Sequence, residues 1–340
     1  MALLTVLDHP HVFRSVQKRP GTGTTVTLFR HLIETLSTEY YDKIAADVWT
    51  MSPPCQPYTR IGLKQGSQDG RAKSFLHLLE VLGEMEHKPK YILLENVKGF
   101  EESDSRDMLA EKLKECNYAF QEFLLTPLQL GIPNSRMRYY MLAKLRPLKF
   151  ASSPTDTIIN YIPLSDKMSE AFVDFRLTTA NIEKELADKI ASSIEPVSNY
   201  LVKVDNLDQF LVPDKVLSKN GHVFDIIKPN SRRSCCFTKG YYHYAQGTGS
   251  ILQMNEKADT SSTFEQAIEA RDSKDTKKQL SLLHSLKLRY FTPREVANLM
   301  GFPSHFEFPS TSSVKQQYRT LGNSINVRLV AELMKYLLKE

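Results

Sequence analysis

Long apolar runs are missing from this chain of 340 residues. Those present are short, Tyr91 to Leu94 for example, far below the ~20 apolar residues that a membrane-spanning helix needs, so no membrane partner is expected. The N-terminus opens on a brief apolar stretch but has neither the apolar region nor the small-residue cleavage site of a secretory signal. Cysteine is also scarce. Cys55, Cys116, Cys235 and Cys236 are unevenly spaced and unframed as ligand pairs, which argues against a disulfide scaffold and offers no zinc site. The histidines, His9 and His11 among them, form no ligand spacing, so no metal is expected. These absences point to a reducing compartment, the cytoplasm with the nucleus as a second location. Neither sign of charge dominates. With 44 basic and 39 acidic residues the net charge is +5, a weak lean towards a polyanionic partner. Glycine is thin near the start, where the one cluster, Gly21 and Gly23, follows QKRP rather than an apolar strand and fails the context test for a cofactor loop.

What is present, over 47–144, reads as an alternation of strands and helices. Ala46 to Met51 is a short apolar strand that runs into SPPCQPYTR, where Pro53 and Pro54 stop any helix. The segment 61–72 is glycine-rich and polar, a mobile loop by composition. Phe75, Leu78, Leu79, Leu82 and Met85 then recur at helical spacing. KYILLE (90–95) is a strand of the buried type, 105–116 an amphipathic helix, and 118–126 and 137–145 are strands. That order predicts an α/β fold, a largely parallel sheet with helices on its faces. Beyond about residue 150 the pattern changes. A helix is expected around 181–192, the charged stretch 254–280 reads as an exposed, partly disordered insertion, and PREVANLM and 323–338 read as closing helices, the first started by Thr292 and Pro293.

Cys55 is the residue with the most chemical promise. A cysteine between prolines, just past a parallel strand, lies where open α/β sheets place their ligands, and Arg60, Arg136 or Arg138 nearby would favour its thiolate. Glu95 ends the strand KYILLE towards the same cleft. Arg136 and Arg138 alternate along a strand, so both are expected on one side, to hold a base edge or a phosphate or merely to solvate a sheet edge. Arg232, Arg233, Lys239, Tyr241, Tyr242 and Tyr244 interleave cations with rings, a composition suited to partly single-stranded nucleic acid.

SPPCQPYTR, LLENVKGF (93–100), NSRMRYYMLA (134–143), LRYFTPREVANLMGFP (288–303) and QYRTLGNSINV (317–327), in this order, resemble five motifs of the DNA (cytosine-5) methyltransferase family. The short recognition region and the string CFTKGYYHYAQGTGS (236–250) resemble the branch that methylates a transfer-RNA anticodon loop. The resemblance implies a Rossmann-like methyltransferase domain with a small target-recognition domain, and methyl transfer from S-adenosylmethionine to C5 of a cytosine in RNA. It gives Cys55 as the nucleophile that adds to C6 and Glu95 as the acid at N3, with Arg136 and Arg138 beside them. Asn323 and Ser324 fall where the family contacts its cofactor, although capping of the last helix explains them as well. Transfer RNA is the expected partner, DNA the alternative, and a monomer the expected state.

One part of the resemblance does not extend. The family cradles S-adenosylmethionine on a Phe-x-Gly-x-Gly turn after its first strand and on an acidic residue after its second. Here LLTVL (3–7) runs into DHPHVFRS, and the 46 residues before the Cys55 strand are too few for two strand–helix–strand units of ~30 residues each. The sequence therefore predicts a catalytic domain over 1–146 with atypical residues 1–45 and its first strands truncated. A recognition domain over 147–315 and a C-terminal helix over 316–340 that returns to the catalytic domain follow. It also leaves open a nucleic-acid-binding protein unable to bind S-adenosylmethionine.

Overall fold

The apolar segments read as strands assemble into a seven-stranded sheet in a computed structural model of the chain. The structure describes residues 2–6, 13–18, 24–29, 32–54, 72–152, 157–163, 192–203, 206–244 and 246–339, and up to residue 29 the backbone only. Cys55, Arg60, the expected loop at 61–71, Gly21, Gly23 and the expected helix at 181–191 lie outside them. The chain forms two compact units, Met1–Leu125 with Met137–Phe172 and Ala331–Glu340, and Thr126–Arg136 with Val173–Val330.

The first unit carries strands β1 (Ala2–Val6), β2 (Phe13–Lys18), β3 (Thr24–Phe29), β4 (Val48–Met51), β5 (Tyr91–Val97), β6 (Tyr118–Leu125) and β7 (Arg138–Leu145), in the order β3-β2-β1-β4-β5-β7-β6. β4 and β5 are buried almost throughout, as central parallel strands must be. They pair in parallel with Met51 opposite Leu94. Helices α1 (Thr38–Ile44), α2 (Lys73–Glu84) and α3 (Asp104–Glu115) pack their apolar stripes on it, with Phe75, Leu82 and Leu113 in one core with Trp49, Ile92 and Met141. β7 runs antiparallel to both β5 and β6, so the sheet is parallel at its centre and mixed at its margins.

Ahead of β4 the sheet departs from the expected truncation. Three strands are present, and β1 lies parallel to β4. β2, however, runs antiparallel to β1 and β3 antiparallel to β2. Antiparallel neighbours can be joined by a short loop, whereas parallel neighbours need a crossover of a dozen residues or more. Three strands fit ahead of β4 because β1, β2 and β3 are antiparallel neighbours.

The second unit is built on a small sheet of β8 (Asp225–Ile227), β9 (Ser250–Gln253) and β10 (Leu288–Arg289), in the order β10-β9-β8. Around it stand α4 (Asp214–Asn220), α5 (Thr260–Asp272), α6 (Thr276–Ser285), α7 (Pro293–Leu299) and α8 (Val314–Gly322), and α9 (Val327–Leu338) begins in this unit. The stretch expected to be partly disordered is α5 and α6. Asp259 and Asp275 cap them by accepting from Ser262 N (2.7 Å) and Lys278 N (2.9 Å). Each helix buries only a thin stripe, Ala267 and Ala270 on one and Leu283 on the other, which the surrounding charge hides from a composition reading. The N-terminus of α7 is the expected cap, a box in which Thr292 and Glu295 satisfy each other's backbone N–H. Glu295, with no exposed surface, also accepts both Nη atoms of Arg289, at 2.8 and 2.9 Å. Replacing Glu295 by alanine would leave Arg289 buried without a counter-charge, so a loss of about 3–5 kcal/mol is expected in denaturant unfolding. A loss below about 1 kcal/mol, as for an exposed pair, would show that Arg289 finds another partner.

Candidate active site

Parallel pairing brings the C-terminal ends of β4 and β5 to one edge of the sheet. Leaving β4, the chain passes through Ser52, Pro53 and Pro54, the last described residue before Cys55. Asn96, 2 % exposed, reaches back from β5 and donates a long hydrogen bond (3.4 Å) to the Pro53 carbonyl. Its own side-chain oxygen accepts from Val97 N at 2.8 Å. The buried amide thus ties Pro53 to the next strand.

Glu95 precedes Asn96 on the opposite face of β5. Val97 is the residue opposite Arg138 on β7, so Glu95 and Arg138 are diagonal cross-strand neighbours, within reach for long side chains. Arg138 Nε lies 3.3 Å from Glu95 Oε1, and the two side chains are 18 % and 12 % exposed. The carboxyl group is therefore held from one side by a cation while its edge of the sheet still meets solvent. Such a pair can present one proton-carrying oxygen and one row of N–H donors to a flat, polar ligand.

Arg136 is placed differently from its expected alternation with Arg138. β7 starts at Arg138, and Arg136 belongs to the second unit, where it is 5 % exposed. Its guanidinium donates to the carbonyls of Phe237 (3.1 Å), Gly322 (3.3 Å) and Ser324, and lies 3.2 Å from Cys236 Sγ. Nε has no partner. Arg136 ties three distant segments together, which makes it a positioning group. Gly322 permits the same junction, since a Cβ there would stand 2.1 Å from Lys239 N. Asn323 and Ser324 do not open the last helix. Asn323 closes α8 and is exposed, Ser324 N donates to Leu321 O, and the cap of α9 is Asn326, whose side chain accepts from Leu329 N at 3.0 Å.

The basic and aromatic cluster divides in the same way. Arg233 is engaged by Asp225 at 2.8 Å. Burial raises the Asp225 pKa, but hydrogen bonds from Ser250 and Arg233 outweigh it and hold that carboxyl below its ordinary value. Arg232 is exposed, with Nη1 donating to the carbonyls of Ser192 (3.3 Å) and Ile194. Lys239 is exposed. Tyr241 faces inward rather than towards a ligand: it is 3 % exposed, its hydroxyl donates to Ser250 O (2.8 Å) and accepts from Phe291 N (2.9 Å), and burial drives its pKa well up. Gly249 allows this, because a Cβ there would come within 2.6 Å of the Tyr241 ring. The available rings are the next two. Tyr242, at φ 70, stacks on Tyr318 with ring centroids 5.4 Å apart and remains 38 % exposed, and Tyr244 is 72 % exposed. Interleaving of rings and cations was visible in the sequence, but the inward ring could not be told from the outward ones without the turn. Asn96 and Asn326 were not singled out at all, for an asparagine beside a strand end or before a helix has no distinguishing pattern until its partner is known.

Among the described residues no group of three or more His, Cys, Asp or Glu could hold a metal, and no helix is long and apolar enough to cross a membrane.

Residues 30–339 match the family described as C-5 cytosine-specific DNA methylase. The human tRNA (cytosine(38)-C(5))-methyltransferase is 40% identical over 343 residues, covering 91% of this chain and 86% of its own length. A Dictyostelium discoideum protein named DNA (cytosine-5)-methyltransferase is 39% identical, over 90% of this chain and 80% of its own. The crystal structure of the S. pombe Dnmt2 methyltransferase superposes with a TM-score of 0.68 at 38% identity, covering 91% of this chain and 83% of that one.

The two kinds of tyrosine in the 236–250 turn are separable by experiment. Tyr241→Phe leaves Phe291 N–H without its acceptor and is expected to destabilise the protein by about 1–3 kcal/mol. Tyr244→Ala, at an exposed position, is expected to stay within about 0.5 kcal/mol of the wild type. Equal losses in thermal or denaturant unfolding would contradict the placement of these rings.

Proposed function

The chain belongs to the C-5 cytosine-specific DNA methylase family, and from that premise we propose that it is a tRNA-directed cytosine-5 methyltransferase acting on an anticodon-loop cytosine. The observation that carries the chemistry is the shared edge of β4 and β5, where Glu95 stands against Arg138 and Asn96 holds Pro53 two residues before Cys55. In the proposed reaction the Cys55 thiolate adds to C6 of the base. Glu95 gives a proton or a hydrogen bond to N3, which draws electron density from the ring and makes C6 electrophilic. Arg138 holds the Glu95 carboxyl in place and offers donors to the pyrimidine edge. The target must leave its stack to be attacked, and an unpaired loop base does so at low cost.

RNA rather than DNA is favoured by the activity for which the human relative is named and by the exposed Tyr242 and Tyr244 beside Lys239, which suit unpaired bases and their phosphates. The Dictyostelium relative keeps DNA as the second reading.

The family implies S-adenosylmethionine as methyl donor. The residues here do not fit it in the expected way. The strand beside β4 is followed by an antiparallel strand and not by a glycine turn and a helix, and Asn323 and Ser324 sit at a helix end built around Arg136.

Release of tritium from cytosine labelled at C5 reports loss of the C5 hydrogen whatever replaces it. It is expected from an anticodon stem-loop and not from duplex DNA. Glu95→Gln keeps the shape and removes the acid, so release should fall by ~10²–10⁴-fold with RNA affinity little changed. Wild-type release in that variant would reduce Glu95 to a partner of Arg138. Tyr244→Ala is expected to weaken stem-loop binding by about 1–3 kcal/mol at constant salt slope, and Lys239→Ala to flatten the slope by about one unit. Equal binding of stem-loop and duplex DNA would favour the DNA reading.

A further inference from the structure

Three side chains that the proposed chemistry does not use meet on the face of the sheet turned away from Glu95 and Arg138. Tyr139 follows Arg138 on β7 and so points to the opposite face. It has no exposed surface, and its hydroxyl donates to Glu122 Oε1 on β6 at 2.6 Å. Glu122, 8 % exposed, also accepts from Arg106 on α3, from Nε at 2.8 Å and from Nη2. Burial, and after it the Glu122 charge, raises the Tyr139 pKa, which keeps the phenol a neutral donor. A two-pronged guanidinium and a phenol thus converge on one carboxylate, and such charge-assisted bonds are shorter and stronger than neutral ones.

From behind, Tyr139 reaches both parts of the candidate site. In the β5–β7 ladder it lies directly opposite Asn96 and on the same face, where the Cβ atoms of opposed residues stand ~4.5–5.5 Å apart. Asn96 holds the Pro53 carbonyl by a bond of 3.4 Å, which has little margin for drift. One residue earlier, Arg138 is the first residue of β7 and closes its ladders with both β5 and β6. The 3.3 Å approach of Arg138 to Glu95 therefore depends on where this strand end lies. The Tyr139 ring packs on buried Phe100, just after β5, with centroids 5.3 Å apart, and Phe100 packs on Phe75 of α2 at 6.2 Å. Held by its ring at the side and its hydroxyl at the tip, Tyr139 has one position.

We infer that Arg106, Glu122 and Tyr139 are positioning residues for attack on cytosine: they brace the start of β7 and through it hold Arg138 against Glu95 and Asn96 against Pro53. The inference rests on the reading of Glu95 and Arg138 given above. None of the three touches the base. Their effect is on geometry, and a misplacement of about 1 Å from a distant change can cost ~10²-fold in rate.

Tyr139→Phe removes the hydroxyl and keeps the ring on Phe100. With S-adenosylmethionine supplied, tritium release from the C5-labelled anticodon stem-loop is expected to lose about tenfold or more in kcat, with KM unchanged. Tyr118→Phe is the control. Tyr118 is 3 % exposed and donates its hydroxyl to Pro89 O at 2.6 Å, at the far end of β6. Its loss is expected to lower stability and leave kcat unchanged. In an Arg138→Lys background Tyr139→Phe is expected to lower kcat by less than about threefold, because the two changes act through one contact. The full loss in both backgrounds, or an equal loss in Tyr118→Phe, would reduce the three residues to a stabilising role. A second readout needs no turnover. The NMR signals of the Arg138 Nε–H and the Asn96 side-chain amide, assigned from Arg138→Lys and Asn96→Asp, are expected to move or broaden in Tyr139→Phe and to stay in place in Tyr118→Phe. Unmoved signals in Tyr139→Phe overturn the inference whatever the rates. Absence of release from the wild-type chain overturns the reading of Glu95, and the spectra then decide the brace alone.

Discussion

Parallel pairing of β4 with β5, with Met51 opposite Leu94, is the constraint on which the candidate chemistry depends. It makes both strands end at one edge, and backbone groups there no longer have ladder partners. Pro53 and Pro54 remove two N–H donors that would otherwise need satisfying, and the Asn96 amide takes up the Pro53 carbonyl. The same end of β5 carries Glu95, held by Arg138 from the antiparallel neighbour β7. A slip of one residue in either pairing would turn Glu95 to the other face of the sheet. The placement of Glu95 against Arg138 is thus a consequence of register, and the buried strands enforce the register.

Much of this was legible in the sequence because burial and strand formation leave the same mark. The runs at 46–51, 90–95, 118–126 and 137–145 are strands within two residues of their expected bounds, since a continuous apolar run between turn residues has few alternatives. The motif resemblance pointed to the family without any structure, and the family is established by the match over 30–339. Elsewhere the signals were ambiguous for physical reasons. α5 and α6 bury so little surface that their charged faces read as solvated chain. Arg136 and Arg138 share a spacing but not a strand, because β7 begins between them. Tyr241, Tyr242 and Tyr244 are one chemical class, and only the turn made possible by Gly249 decides which ring faces in.

The N-terminal strands show how length limits topology. Parallel neighbours need a crossover where antiparallel neighbours need only a short loop, and ahead of β4 the strands β1, β2 and β3 are antiparallel neighbours. The edge proposed to face the cytosine needs only β4, β5 and β7.

The most direct test is whether the edge of β4 and β5 alone makes a nucleophile. An anticodon stem-loop with 2-pyrimidinone at the target position lacks the exocyclic amine that damps attack at C6, so its thiolate adduct survives denaturation. Incubated with the full chain and no methyl donor, then digested and mapped by mass spectrometry, it is predicted to label the peptide containing Cys55. Label on Cys116, Cys235 or Cys236, or no label while the RNA remains bound, would contradict that prediction.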